Sequence, residues 1–266
     1  MNKPVKAEII SIGTELLRGE ITDTNAVYLA SQLPLIGIEL QRITTSGDDV
    51  KMLARVLRQA LRRSAVVITT GGLGPTQDDL TREAIAMVLD EKLLMDEELA
   101  TQLRVAFARM GREMPPSNLQ QAMRIPSALP LPNLRGTAPG LWIDKNDKVI
   151  AVMPGPPREM LPMWQNEVLP RLKTRFSGET ILARTIKTFS LQEAKVGELV
   201  QEFFEVANPV TGIYAKPDGI QVRLIAHGNN ARQLLDTAEV KIKNILAPYV
   251  WGIDNDTLAG IIGQVL

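Results

Sequence analysis

Three strand-like runs early in the chain, two of them apolar and one with polar alternation, end in the same way. "VKAEIISIG", "IELQRITTSG" and "SAVVITTGG" each close on glycine, and each leads through polar or acidic residues into a stretch of helical character. Strand and helix therefore alternate, and that order constrains the fold most. It predicts an α/β chain whose mostly parallel sheet carries helices on both faces, three layers in all. The helix expected over "TNAVYLASQLPLIG" takes Thr24 as its cap, turns Val27, Leu29 and Leu33 inward and stops at Gly37. "DDVKMLARVLRQALRR" places Val50, Leu53, Leu57 and Leu61 at helical spacing, and "DDLTREAIAMVLD" and "DEELATQLRVAFARMG" read as two more helices.

The next segment, "PPSNLQQAMRIPSALPLPNLRGTAPG", is rich in proline and turn residues and is expected to be a long irregular excursion. "GLWIDKNDKVIAVMPG" reads as a hairpin joined by Asp144, Lys145, Asn146 and Asp147, and the prolines of "PPREM" open a helix. After about Phe176 the pattern becomes β-α-β-β-α, with a hairpin turning at Pro217-Asp218-Gly219, which predicts a second, smaller α+β domain. "DNDTLAGIIGQVL" opens one more capped helix that stops at Leu266, so the expectation is that the natural chain continues. The expected division is 1–172, 176–252 and a final 253–266 linker.

Composition narrows the chemistry. The 266 residues carry 30 basic and 30 acidic side chains, a balance that argues against a general nucleic-acid surface. There is no cysteine, which excludes disulfides and thiolate metal sites and fits a cytoplasmic protein. No stretch approaches the roughly 20 apolar residues of a membrane span, and the N-terminus does not read as a signal peptide. The single histidine, His227, rules out a His-rich zinc site and reads as structural or exposed. Chemistry here must rest on carboxylates, Lys or Arg, backbone amides and a hard, oxygen-loving ion such as Mg²⁺.

The densest motif is "TTGGLGPTQDDLTREAI", Thr69 to Ile85. A glycine-rich turn between a buried strand and a helix presents several amides to one point, and Asp78 and Asp79 beside it could hold a metal on a phosphate. The plain alternative is a strand end whose Gly72 and Gly74 serve the turn while Thr76 and Asp79 form a capping pair. The motif is neither G-x-G-x-x-G nor a P-loop. "TTSGDDV" repeats the ambiguity: Ser46 and Asp49 can cap the next helix, yet Asp48 sits at a strand's carboxyl end, where open α/β sheets bind ligands. Acids thus follow two strands, which as neighbours would bring Asp48 and Asp79 together. Thr14, Glu15, Asp23 and Asn25 are either turn and cap residues or a third part of one rim. "RGTAPG" and "MPGPPREM" each pair glycine with proline near a cation, Arg135 or Arg158, as a stiff connection or a phosphate cradle.

Taken in series, "GTELLRGEITDTNA", "GDD", "TTGGLGPTQDDLT", "PPSNLQQA", "GTAPG" and "MPGPPREM" resemble the competence/damage-inducible protein family CinA over roughly residues 6–172. Residues 176–252 are similar to the KH-type domain that follows in that family, without a G-x-x-G clamp, so RNA binding is not implied. The resemblance implies a molybdopterin-binding-like fold shared with MoaB, MogA and MoeA proteins. It also implies divalent-metal-dependent hydrolysis of ADP-ribose to AMP and ribose 5-phosphate. On it, Asp48, Asp78 and Asp79 are the metal ligands and, with Arg158, the catalytic set. Thr14, Glu15, Asn25, Gly71, Gly72, Leu73, Gly74, Thr76, Gly136, Thr137, Pro154, Gly155 and Pro156 line the nucleotide. Mg²⁺, Mn²⁺ or Co²⁺ is the expected cofactor, with K⁺ as a further cation, and a homodimer is the expected assembly. The alternatives are a molybdopterin-binding or adenylyltransferase-type protein, and a non-catalytic nucleotide module. Many family members carry a C-terminal domain that deamidates nicotinamide mononucleotide, and the chain ends about where it would begin, so deamidase activity is not expected from this chain.

Overall fold

The computed structural model describes residues 5–176 and 181–265. Met1 to Pro4 and Leu266, where the last helix is expected to stop, lie outside them. The chain divides into two compact units, Met1–Leu33 with Ile38–Ser177 and Pro34–Gly37 with Gly178–Leu266.

In the first unit, strands β1 (Val5–Ile12), β2 (Ile38–Ser46), β3 (Val66–Thr70), β4 (Ala128–Leu131), β5 (Gly140–Lys145) and β6 (Lys148–Met153) form one sheet in the order β2-β1-β3-β6-β5-β4. The first four are parallel, and β5 and β4 are added antiparallel. Every residue of β3 is buried, and so are Ala7, Ile9, Ile10 and Ile12 of β1, because helices cover both faces of the central strands. The helices include α1 (Thr24–Gln32), α2 (Val50–Arg63), α3 (Thr81–Leu89), α4 (Glu97–Arg109) and α5 (Pro157–Met163), with further helical segments at Thr14–Leu17 and Leu169–Phe176. Leu53 and Leu57 of α2 are fully buried, with Val50 and Leu61 packed partly against the same core.

Several local expectations change. Asp23, not Thr24, caps α1, accepting from the Ala26 amide at 2.9 Å. Leu29 and Leu33 are buried as expected, but Val27 is 68% exposed, and Asn25 and Ala26 join the inner face in its place. Asp49 caps α2 through the Met52 amide at 2.6 Å, while the Ser46 hydroxyl turns to the Gly47 carbonyl. The helix after the glycine-rich turn starts only at Thr81, without a side-chain cap. The proline-rich segment is more regular than expected. It holds a 3₁₀ stretch, Pro116–Ala122, a short ribbon of Leu94–Met95 with Met123–Arg124, and β4, which extends the main sheet. The β5–β6 hairpin pairs through Lys145 and Lys148, leaving only Asn146 and Asp147 in the turn, both at positive φ.

The second unit has strands β7 (Ile181–Thr188), β8 (Val210–Lys216), β9 (Gly219–His227) and β10 (Val250–Ile253) in the antiparallel order β8-β9-β7-β10. The fourth strand, β10, is absent from the β-α-β-β-α pattern read from the sequence. Alternate residues of β9 (Ile220, Val222, Leu224 and Ala226) pack on Leu235, Ile242 and Leu246 of the long helix Ala231–Leu246. Among the described residues, no helix is long and apolar enough to cross a membrane.

Candidate functional site

The carboxyl ends of β2, β1, β3 and β6 lie side by side, so the loops that leave them share one rim. Backbone bonds lace that rim together: the Gly13 amide donates to the Ser46 carbonyl and the Gly71 amide to the Met153 carbonyl, both at 3.0 Å. Gly71 has to be glycine. Its φ is +103°, and a Cβ there would lie 2.1 Å from the Ile12 carbonyl oxygen. A Cβ on Gly155 would meet the Gly71 Cα at 3.4 Å, so the loops after β3 and β6 are in van der Waals contact.

Within the glycine-rich loop, Asp79 turns back on its own chain. One carboxylate oxygen accepts from the Gly74 amide at 2.7 Å. The other accepts from the Thr76 amide at 2.9 Å and the Thr76 hydroxyl at 2.6 Å. Of the loop amides expected to cradle a phosphate, those of Gly71 and Gly74 are thus used internally. Among the described residues, no protein acceptor takes the Gly72 or Leu73 amide. The 3₁₀ stretch backs the loop: Gln120 Nε2 donates to the Thr76 carbonyl at 2.8 Å, and Gln121 Nε2 to the Leu73 carbonyl at 3.4 Å. Arg82, from the first turn of α3, is only 1% exposed, and its Nη2 donates to the same Leu73 carbonyl at 3.1 Å. Burial pulls its pKa down to about 10 against the opposing fields of Glu83 and Asp79, so it stays cationic at neutral pH.

Across the rim, Asp48 holds the loop after β1. Its Oδ2 accepts from the Thr14 amide at 2.9 Å and the Thr14 hydroxyl at 2.7 Å. Glu15 packs its carboxylate against Gly13, where a Cβ would come within 2.4 Å of it. Asn25 is buried and its Nδ2 donates to the Gly155 carbonyl at 2.7 Å, while its Oδ1 is buried without a hydrogen-bond partner. Pro154 is buried and Pro156 precedes the first residue of α5. Gly136 and Thr137 line a cleft of about 310 Å³ with Asn133, Leu99 and Leu103.

The structure does not gather Asp48, Asp78 and Asp79 into one group. Strand β1 separates β2 from β3, so the strands that lead to Asp48 and Asp79 are not neighbours. Asp78 is exposed, and among the described residues no three His, Asp or Glu side chains are grouped to hold a metal. Arg158 is 80% exposed, with Nε 3.8 Å from Glu159. His227 belongs to the second unit, where Asn208 pairs with its backbone. Sequence reasoning missed Arg82, Gln120, Asn133 and Glu159. Glu159 accepts from Asn133 Nδ2 at 2.8 Å and lies so close to Gly136 that a side chain there would collide with it. Its one sequence signal is its place in "MPGPPREM".

Residues 8–174 match a family model described as "Probable molybdopterin binding domain", and residues 183–252 match "Damage-inducible protein CinA KH domain". A "CinA-like protein" of Thermomicrobium roseum is 44% identical over 263 residues, covering 98% of this chain and 65% of the relative. Another, from Deinococcus radiodurans, is 45% identical over 267 residues, covering 98% and 66%. This chain therefore spans slightly less than two thirds of these curated relatives. A solved structure, of a protein CinA with unknown function from Thermoplasma acidophilum, is 31% identical. It covers 64% of this chain and 97% of its own, with a TM-score of 0.57.

Proposed function

The chain belongs to the CinA family, and from that premise we propose that its first unit hydrolyses ADP-ribose-type phosphoanhydrides, with ADP-ribose itself giving AMP and ribose 5-phosphate. The observation that carries the reading is the rim of four strand-end loops. Among the described residues, two of its amides, Gly72 and Leu73, have no protein acceptor, and the acids Asp48 and Asp78 follow strands β2 and β3 of the same rim. Amides held by a laced backbone need no reorganisation to meet negative charge, which is how fixed donors favour a transition state over a ground state.

The donor set fits a divalent cation of the Mg²⁺ or Mn²⁺ type. It is all oxygen, and only one oxygen of Asp48 is committed to Thr14. Such an ion commonly takes one or two carboxylates and fills its shell with water and phosphate oxygens, so a preformed group of three acids is not required. Asp48 would hold it, with water and phosphate oxygens filling the rest of the shell; Asp78 and Asp79, which the resemblance adds to the ligand set, are not grouped with it among the described residues, and both oxygens of Asp79 are engaged in its own loop. When bound, the ion would supply neutralisation of the diphosphate and a more acidic water. The chain's own residues do the rest. The Gly72, Leu73 and Gly155 amides bind phosphate oxygens, Asn25 Oδ1 accepts from a ligand hydroxyl, and Thr14 fixes the Asp48 carboxylate. Arg158, open to solvent, engages the diphosphate as it arrives. Overall, water forms one P–O bond as the P–O–P bridge breaks, and a proton is released.

Incubation with ADP-ribose and Mg²⁺, Mn²⁺ or Co²⁺, with and without K⁺, should yield AMP and ribose 5-phosphate in equal amounts only when a divalent ion is present. Asp48→Asn should lower turnover by about 100-fold. A second reading, binding of a molybdopterin-type ligand, is favoured by the family description matched over residues 8–174. No product with any ion, together with tight pterin binding, would overturn the hydrolase in its favour.

A further inference from the structure

Arg82 is a buried cation that the reading above leaves unused. Among the described residues its Nε and Nη1 are buried with no hydrogen-bond partner and no carboxylate is in ion-pair contact with it, although the charges of Glu83 and Asp79 reach it. Its remaining nitrogen and Gln121 both donate to the Leu73 carbonyl, at 3.1 and 3.4 Å. The amide at the other end of that same peptide, Gly74 N–H, donates to Asp79 at 2.7 Å. A trans peptide points its C=O and N–H in opposite directions. The Leu73–Gly74 peptide is therefore clamped at its oxygen by a cation and an amide, and at its nitrogen by a carboxylate.

A strut for one carbonyl does not call for a charge. Gln121 serves that carbonyl already, and a neutral donor would avoid the cost of burying a guanidinium with two idle donors. The charge gains a use if the loop above it receives an anion, because a buried charge acts through a low dielectric and is little screened by salt. We propose that Arg82 is a positioning residue of the phosphate site: from beneath the loop it fixes the Leu73–Gly74 peptide and supplies the positive charge that favours a phosphate on the Gly72 and Leu73 amides. This rests on the reading of that loop as a phosphate site.

Arg82→Met and Arg82→Lys test it by titration calorimetry with AMP, inorganic pyrophosphate and adenosine, each with Mg²⁺, alongside thermal unfolding. Arg82→Met should weaken AMP and pyrophosphate binding about tenfold or more. It should leave any adenosine binding unchanged and leave Tm unchanged or raised, since an unpaired buried charge is removed. Arg82→Lys keeps the charge and should bind both phosphates within about threefold of wild type. Two results would overturn the inference: equal phosphate binding by Arg82→Met and wild type, or a lowered Tm in both variants with phosphate affinity unchanged. Wild-type protein that binds neither AMP nor pyrophosphate would instead sink the phosphate reading of the loop, and this inference with it.

Discussion

The two ends of the parallel sheet bury charge in opposite ways. Where α2 runs out, Glu8 of β1 is almost fully buried, but its carboxylate takes two bonds from Arg63, at 2.9 and 2.8 Å, and one from Ser64 at 3.1 Å. At the carboxyl ends of the strands, Arg82 is buried with two donors idle and Asn25 with an idle acceptor. One end is satisfied within the chain and the other is not. Unsatisfied buried polar groups cost stability, and between these two ends of the sheet they fall at the carboxyl end, on Asn25 and Arg82, which marks it as the end kept for a ligand rather than for the fold. The completed pair at Glu8 has a structural explanation and needs no other.

The largest expected effect breaks the rim itself. Gly71→Ala places a methyl against the Ile12 carbonyl at a backbone angle that alanine rarely adopts. It should cost about 3 kcal/mol, read as a fall in the urea midpoint, and should abolish phosphate binding.

Next comes the opposite end. Glu8→Gln should cost about 2 kcal/mol, less than a fully sealed pair because solvent reaches Arg63, and should leave phosphate binding untouched. The same residue should shape the pH dependence. Hydrogen bonds from Arg63, outweighing burial and aided by Ser64, hold the Glu8 carboxyl below its ordinary 4.5. A group depressed on folding adds stability that is present above its unfolded value and is lost as pH falls through the folded one. Urea midpoints measured from about pH 6 down to pH 3 should therefore fall less steeply in Glu8→Gln than in wild type. An equal slope would remove Glu8 from the acid response.

The smallest effect sharpens the division between cap and site among adjacent acids. Asp49→Ala should lose about 1 kcal/mol through the Met52 amide, with any ADP-ribose turnover unchanged, whereas its neighbour Asp48 should matter to turnover. Equal losses of turnover at both positions would erase that distinction.

Much of this was legible in one dimension because its physics is local. The buried runs of β1 and β3, the spacing of Leu53 and Leu57 and Asp49 at the start of α2 depend on neighbours a few residues away, whereas the need for glycine at position 71 comes from the Ile12 carbonyl on another strand. Val27 was misjudged because helical period marks an apolar position but does not say whether the chain offers a partner for it; Asn25 took the inner face to reach Gly155 across 130 residues. Strand β10 was missed because four residues carry too little period to stand out.

The candidate site divides along the same line. The sequence by itself determined that acids and glycines stand at strand ends, since both are set by the strand–turn–helix order. Only the tertiary structure decided that β1 lies between β2 and β3, that Asp79 closes on its own loop, and that Arg82 is sealed beneath it. Strand order depends on which apolar faces pack best across the whole sheet, and the burial of a charge depends on segments far apart in the chain, here α3 and the 3₁₀ stretch that brings Gln121 to the Leu73 carbonyl. No local pattern carries either.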